Sequence, residues 1–397
     1  MKLVEQVISL ALFAWLTEWN PLALLKWLSQ PGKVLKAGAG LRKISCFGVN
    51  PHIVWEVTRR CNLRCRHCHA FGGEPSKELS TEEARELIQK LKETGIKTLV
   101  FSGGEPLLRK DLFTLISDAT EKDFNIFIAT NGTLITTEVA RKLNEYDVGV
   151  VIGIDALRAE IHDELRGSRG AWKAMMRGIE NCLRYDTYLH FNIVASRMNF
   201  EEVPGIIDFG NKIGVFSYFI YNFVPLGRGA EMAENVLTHD EFCRLLQILA
   251  NKQRHSSGII IPVAAPEYFA FLLMRKGVRR DFALRFIGNF ISGCLAAECG
   301  MLYIKPDADI WRCPFLPDSS MGNALNLRIL TQIHTHIRSQ RHSACAACIY
   351  RYVCGGCAAL AGHETADELC RCALRRMRAQ LTHTDSTDSD DERGSTH

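Results

Sequence analysis

Ile53-Val54-Trp55-Glu56-Val57-Thr58-Arg59-Arg60-Cys61-Asn62-Leu63-Arg64-Cys65-Arg66-His67-Cys68 is an apolar run that ends in three cysteines spaced C-x3-C-x2-C. Residues 53–58 are mostly β-branched and aromatic, which predicts a strand that delivers the cysteines at its C-terminal end. Three thiolates satisfy three irons of a cubane and leave the fourth iron without a protein ligand, unlike the four-cysteine sites that only carry electrons. An iron left open in this way binds substrate or cofactor. A zinc site is the competing reading, with His67 or His69 supplying the fourth ligand.

Short apolar runs and helical patterns alternate from about residue 50 to residue 230, as repeated βα units of a parallel sheet do. Strands are predicted at 53–58, 98–102, 125–130, 148–155, 189–195 and 218–224, with helices near 80–94, 110–122, 136–145, 171–184 and 201–213. Ser80 with Glu83 three residues on is a capping box, and Asp111 and Thr136 stand near other helix starts. Six strands joined by helices predict an α/β fold, a partial (β/α)6 TIM-like barrel with its chemistry at the C-terminal strand ends. The cysteines, Gly103-Gly104-Glu105 and Asn131 all follow strand ends. Beyond 235 the rhythm fades. Residues 238–285 read as helical, 294–372 as irregular and cysteine-rich, and 382–397 as a disordered tail with hardly an apolar side chain.

A chain of 397 residues is long enough for one barrel-sized domain and a smaller one. Its 48 basic and 44 acidic residues are too evenly balanced to indicate a nucleic-acid partner. The 15 cysteines are far more than packing requires, and they cluster: three between 61 and 68, then Cys294, Cys299 and Cys313, then six between 345 and 372. Cys46, Cys182 and Cys243 sit singly and read as small buried hydrophobes. With no convincing export signal ahead of them, the clustered cysteines point to metal ligation rather than disulfides.

The cysteine loop, followed one βα unit later by Ser102-Gly103-Gly104-Glu105-Pro106, resembles the radical S-adenosylmethionine (SAM) superfamily; His67 stands where that family usually has an aromatic residue. The resemblance covers about 50–375. It implies an enzyme whose 4Fe-4S cluster, held by Cys61, Cys65 and Cys68, binds S-adenosyl-L-methionine and cleaves it reductively to a 5′-deoxyadenosyl radical. By the same resemblance Gly103, Gly104 and Glu105 contact the cofactor, with Glu105 accepting from its ammonium. Asn131 and Asp155 line the pocket, and Gly227, in Val224-Pro225-Leu226-Gly227-Arg228-Gly229, backs the adenine. Arg166 pairs with the cofactor carboxylate or forms a surface salt bridge.

Cys345-Ala346-Ala347-Cys348 and Cys354-Gly355-Gly356-Cys357, with Cys370 and Cys372 downstream and Cys294 or Cys299 and Cys313 upstream, resemble the family's SPASM extension. That extension implies two auxiliary 4Fe-4S clusters. Cys294, Cys313, Cys345 and Cys357 or a neighbour fall to one, and Cys348, Cys354 and Cys372 or Cys370 to the other. Ala308 stands where a glycine is common, and the spacing of the last pair departs from many members. Two structural zincs are the alternative on spacing alone.

The expected divisions are an apolar helical segment at 1–49, the barrel at 50–235, a helical connector at 236–290, the cysteine-rich Fe-S domain at 291–381 and the tail. Residues 7–16 are apolar except Ser9, too short to span a bilayer. The segment either packs on the protein's own core or lies on a membrane, with its tryptophans at the lipid interface and Lys33, Lys36, Arg42 and Lys43 meeting anionic head groups. The resemblance implies a peptide or tetrapyrrole substrate and a donor such as flavodoxin or ferredoxin. A membrane-lipid substrate, and a non-enzymatic electron-transfer or zinc-binding protein, are the alternatives. Oxygen-sensitive clusters imply a cytoplasmic location, with the inner membrane face available to the N-terminal helix.

Overall fold

The computed structural model describes residues 2–29, 43–45, 48–50, 52–70, 77–291, 293, 301–316, 319–326 and 348–357. Two helices open the chain, α1 (Lys2–Thr17) and α2 (Pro21–Leu28), followed by a hairpin of β1 (Lys43–Ser45) and β2 (Gly48–Asn50). The βα array then runs β3 (His52–Thr58), α3 (Thr81–Glu93), β4 (Thr98–Gly103), α4 (Leu112–Glu121), β5 (Asn125–Thr130), α5 (Thr137–Glu145) and β6 (Gly149–Gly153). It continues through α6 (Ala159–Arg166), α7 (Ala171–Arg184), β7 (Leu189–Ala195), α8 (Val203–Ile213), β8 (Ser217–Asn222), α9 (His239–His255) and β9 (Ile259–Val263). Helices α10 (Glu267–Arg275) and α11 (Asp281–Gly288) precede β10 (Met301–Ile304), β11 (Asp309–Trp311) and β12 (Ser320–Asn323).

The main sheet has the order β12-β11-β10-β3-β4-β5-β6-β7-β8-β9. From β10 to β9 every pairing is parallel, whereas β11 and β12 turn back antiparallel. The barrel strands bury their outward side chains against the surrounding helices. Ile53, Trp55 and Val57 of β3 pack outward, as do Leu99 and Phe101 of β4 and Ile126 and Ile128 of β5, all buried in one core. The intervening residues face inward, which is the geometry of a partial TIM-like barrel.

Among the described residues six strands are absent from the sequence reading, and two of them, β9 and β10, extend the parallel array. The stretch expected to be helical, 238–285, contains β9, which extends the sheet beside β8. Its five residues, Ile-Ile-Ile-Pro-Val, are buried throughout, and the proline is tolerated because β9 is an edge strand. Strand β10, from the cysteine-rich segment, joins the other side of the same array against β3. The short polar helix α6, whose start carries no side-chain cap, also escaped the reading.

Helices α1 and α2 pack on the barrel. Phe13, Leu16, Trp19 and Trp27 are buried, Trp19 Nε1 donates to the Ser256 carbonyl at 2.8 Å, and Trp27 stacks on Phe216 at 4.7 Å. Among the described residues no helix is long and apolar enough to cross a membrane. The tail at 382–397, and Lys33, Lys36 and Arg42, lie outside the described residues.

Candidate active site

The cysteine loop leaves the end of β3 and is held by its backbone. Arg66 N donates to Leu165 O at 2.8 Å, Arg228 N to Cys68 O at 3.0 Å and Arg228 Nε to Cys65 O at 3.1 Å. Cys61, Cys65 and Cys68 gather in one small group with Leu63 and Ala171. Burial pushes the Cys61 thiol up to about 11, and neighbouring Cys65, Glu105 and Cys68 add to that, while the Leu63 N–H opposes it. As a bare thiol Cys61 therefore keeps its proton. A cationic iron-sulfur cluster is the kind of group that would draw it off, so the donor set fits it.

Gly103 and Gly104 form the adjoining wall. A Cβ on Gly103, where φ is +140°, would sit 2.3 Å from Thr58 O, and one on Gly104 would sit 2.4 Å from Arg60 O. The close approach that demands glycine is thus to the base of the cysteine loop. Glu105 turns away from the cavity. Fully buried, its carboxylate accepts from Thr130 Oγ1 at 2.7 Å, Asn131 N at 2.8 Å and Leu107 N at 3.2 Å. Burial raises its pKa to about 7 against the pull of those donors. Asn131 faces the cavity, and its Nδ2 donates to Asn62 Oδ1 at 2.9 Å, tying the third strand's end to the cysteine loop.

Asp155 lies behind the wall, fully buried. Its Oδ2 meets both His67 Nε2 and Arg166 Nε at 2.8 Å. Burial works to raise the Asp155 pKa, but Arg166 and then His67 overcome it and hold the carboxyl well below the usual range. Arg166 is only 8% exposed, so the surface-salt-bridge reading gives way to a buried one. It reaches the cavity with Nη1 4.0 Å from Cys65 Sγ, over Gly153, whose Cβ would lie 2.5 Å from Nη2. Gly227 does not line the cavity; its neighbour Arg228 does.

These groups surround a cavity of ≈830 Å³ inside the barrel. Sequence reasoning missed several of its lining residues, among them Glu56, Tyr303 and Phe315. Tyr303 donates to Glu56 Oε1 at 2.5 Å, and Lys305 Nζ stands 3.4 Å from Glu56 Oε2. The inward alternation of β3 could have flagged Glu56; Tyr303 needed the β10–β3 pairing. His69, edge-on to Phe315 at 4.9 Å, is driven down to about 4 by burial and then by Lys305.

Of the C-terminal cysteines, buried Cys313 shares an apolar group with Phe315, and Cys357 packs against it. Cys348 and Cys354 lie against the main core. Cys294, Cys299, Cys345, Cys370 and Cys372 lie outside the described residues. Ala308 is buried with φ +69°, a backbone that favours the glycine common at this place.

A parallel βα barrel with three thiols and a glycine cradle at its C-terminal strand ends defines a cofactor-dependent radical enzyme. The radical SAM superfamily model matches residues 55–210. The AdoMet-dependent heme synthase of Oleidesulfovibrio alaskensis is 33% identical over 346 residues, covering 82% of this chain and 88% of that protein. The mycofactocin maturase MftC of Mycolicibacterium smegmatis is 30% identical over 322 residues, covering 77% and 78%. The structure of Streptococcus suis SuiB bound to S-adenosylmethionine shares the fold, with a TM-score of 0.61 at 17% identity over 82% of this chain and 75% of that one. The chain belongs to the radical SAM superfamily, in the SPASM-type branch that includes haem synthases and peptide maturases. It is an enzyme whose cofactors are a 4Fe-4S cluster and S-adenosyl-L-methionine.

Proposed function

We propose that the chain cleaves S-adenosyl-L-methionine at a cluster on Cys61, Cys65 and Cys68 and uses the radical to modify a tetrapyrrole. The observation that carries the substrate is similarity along the chain to an AdoMet-dependent heme synthase, over 82% of its length and 88% of the relative's. The site is consistent with it: the cavity of ≈830 Å³ is large for a site of one nucleoside, since ligand pockets run from ~300 to ~1,000 Å³. Arg166, Arg228 and His69 at its upper wall suit carboxylate side chains.

The bound cluster and cofactor supply the hydrogen-abstracting radical. The chain's own residues prepare the place. Gly103 and Gly104 let the wall close on the cysteine loop, Asn131 ties that loop to the next strand end, and Arg166, aimed by Asp155, offers a guanidinium to a carboxylate. Glu105 acts from behind, ordering the Asn131 backbone rather than meeting the cofactor ammonium. Cys294, Cys313, Cys345, Cys348, Cys354, Cys357, Cys370 and Cys372 are assigned to two auxiliary clusters, and a flavodoxin or ferredoxin to the supply of electrons. Exposed Val7, Trp15, Leu22 and Leu25 of α1 and α2 suit peripheral contact with the inner face of a membrane.

Anaerobically reconstituted enzyme with dithionite and S-adenosylmethionine is expected to release 5′-deoxyadenosine. An iron porphyrin bearing propionates should raise that release and change mass. Release unaffected by the porphyrin but raised by a precursor peptide would overturn the tetrapyrrole substrate; no release with the cluster in place would overturn the radical reading.

A further inference from the structure

The cavity continues below the thiols. Its wall descends the barrel as the inward-facing stripe of each strand, with Val54 of β3, Val100 of β4, Ala129 of β5, Val151 of β6, Phe219 of β8 and Ile261 of β9. In closed barrels such positions carry bulky branched side chains that fill the axis in layers. Here β5 and β6 present the smaller Ala129, Val151 and Gly153 above Phe127, and space runs along the axis from the strand tops to their feet. From Glu56 down to His52, both lining, the wall runs about 13 Å along the strand at ~3.3 Å per residue.

The floor is not part of the sheet. Val7 and Leu10 of α1 and Trp27 and Leu28 of α2 close the lower end. Val7 and Leu28 are also 60% and 39% exposed, so among the described residues the side chains that close the cavity also reach the surface. Leu22 and Leu25 of the same helix pair are 76% and 60% exposed. The charged lining is at or above the level of Glu56, toward the thiols. The polar groups lower down are His52, Thr98 and the pair His190–Ser217, which bond each other at 2.5 Å.

We propose that the lower barrel is a binding site for a long hydrocarbon chain, acyl or isoprenoid, lying along the axis with its polar end toward the cysteine loop and its tip against Leu10 and Trp27. Three features select that class. The lining is apolar over most of its depth, an interior ringed by about eight strands is wide enough for one slender ligand, and the floor adjoins exposed leucines from which such a chain would be delivered. The proposal goes beyond the tetrapyrrole reading and depends on neither that substrate nor turnover. The chain comes either from the reacting molecule or from a bilayer lipid.

The test titrates the full-length holoenzyme with cis-parinaric acid, whose fluorescence rises in apolar surroundings. Saturable binding is expected, with saturated fatty acids competing more strongly as they lengthen, by more than about tenfold from octanoate to palmitate. Val151→Phe and Ala129→Leu, which fill the axis, should each weaken binding about tenfold. The chain-length series uses unmodified protein and so stands even if both variants misfold. Competition independent of chain length, absence of saturable binding, or folded variants that bind unchanged would each overturn the proposal. So would one-for-one displacement of the probe by hemin, which would give the lumen to the macrocycle. With perdeuterated palmitate, deuterium in 5′-deoxyadenosine assigns the chain to the reacting molecule; bound palmitate without transfer assigns it to a bilayer lipid.

Discussion

His162 is a small residue-scale example of how burial sets chemistry beside the cluster loop. Its Nδ1 accepts from Asp155 N at 3.3 Å, which requires a neutral ring, and burial followed by the charge of Arg166 drives its pKa from 6.5 to about 4. Between those values the unfolded chain takes a proton that the folded one refuses, so stability falls as pH drops through that window. Thermal unfolding of the cluster-free protein should show a loss on the order of 3 kcal/mol from this group between pH 6.5 and 4, and His162→Gln should remove it. Gly104→Ala tests the wall. A Cβ 2.4 Å from Arg60 O and 2.7 Å from Arg59 O must push the cysteine loop away, so cluster content and 5′-deoxyadenosine release should fall at least ~100-fold in activity while the barrel's circular dichroism persists. Ala308 is the reverse case, a non-glycine held at φ +69° where the residue's own departure from the family pattern was visible in the sequence.

Among the elements, α3 shows how far local chemistry reaches. Ser80 and Glu83 exchange the two hydrogen bonds of a capping box, with Ser80 Oγ accepting from Glu83 N at 3.2 Å. Ser80→Ala should cost about 1 kcal/mol in urea unfolding without touching cofactor cleavage. Helices α1 and α2 behave differently, because their stability comes from what they cover. Trp19, Trp27, Phe13 and Leu16 are all under 5% exposed. Deleting residues 1–29 should therefore lower the melting temperature and expose barrel core, read as dye binding and aggregation. A truncated protein that is as stable and soluble as the full chain would show that these helices serve something other than packing.

Across the whole molecule, the parallel sheet holds elements separated by some 250 residues in one frame, β10 pairing with β3 so that Tyr303 meets Glu56. The cysteine-rich segment thereby contributes directly to the wall of the barrel cavity. Reconstitution is expected to load about twelve irons per chain for three 4Fe-4S clusters, and the triple change Cys61→Ala, Cys65→Ala, Cys68→Ala to leave about eight. A total of about four in the unmodified protein would remove the auxiliary clusters.

By itself the sequence determined the alternation of strands and helices, the strand ends that carry the three cysteines and the glycine pair, and the family these motifs mark. Those signals are local: a period of two or 3.6, a cap, or a ligand spacing survives without knowledge of neighbours. Tertiary structure alone decided that Glu105 and Asp155 stand behind the cavity wall, that Arg166 is buried, that β9 and β10 extend the sheet, and that α1 and α2 floor the barrel. Each depends on which distant surfaces meet. A side chain's direction into cavity or core is set by register between strands far apart in sequence, which no window along the chain encodes.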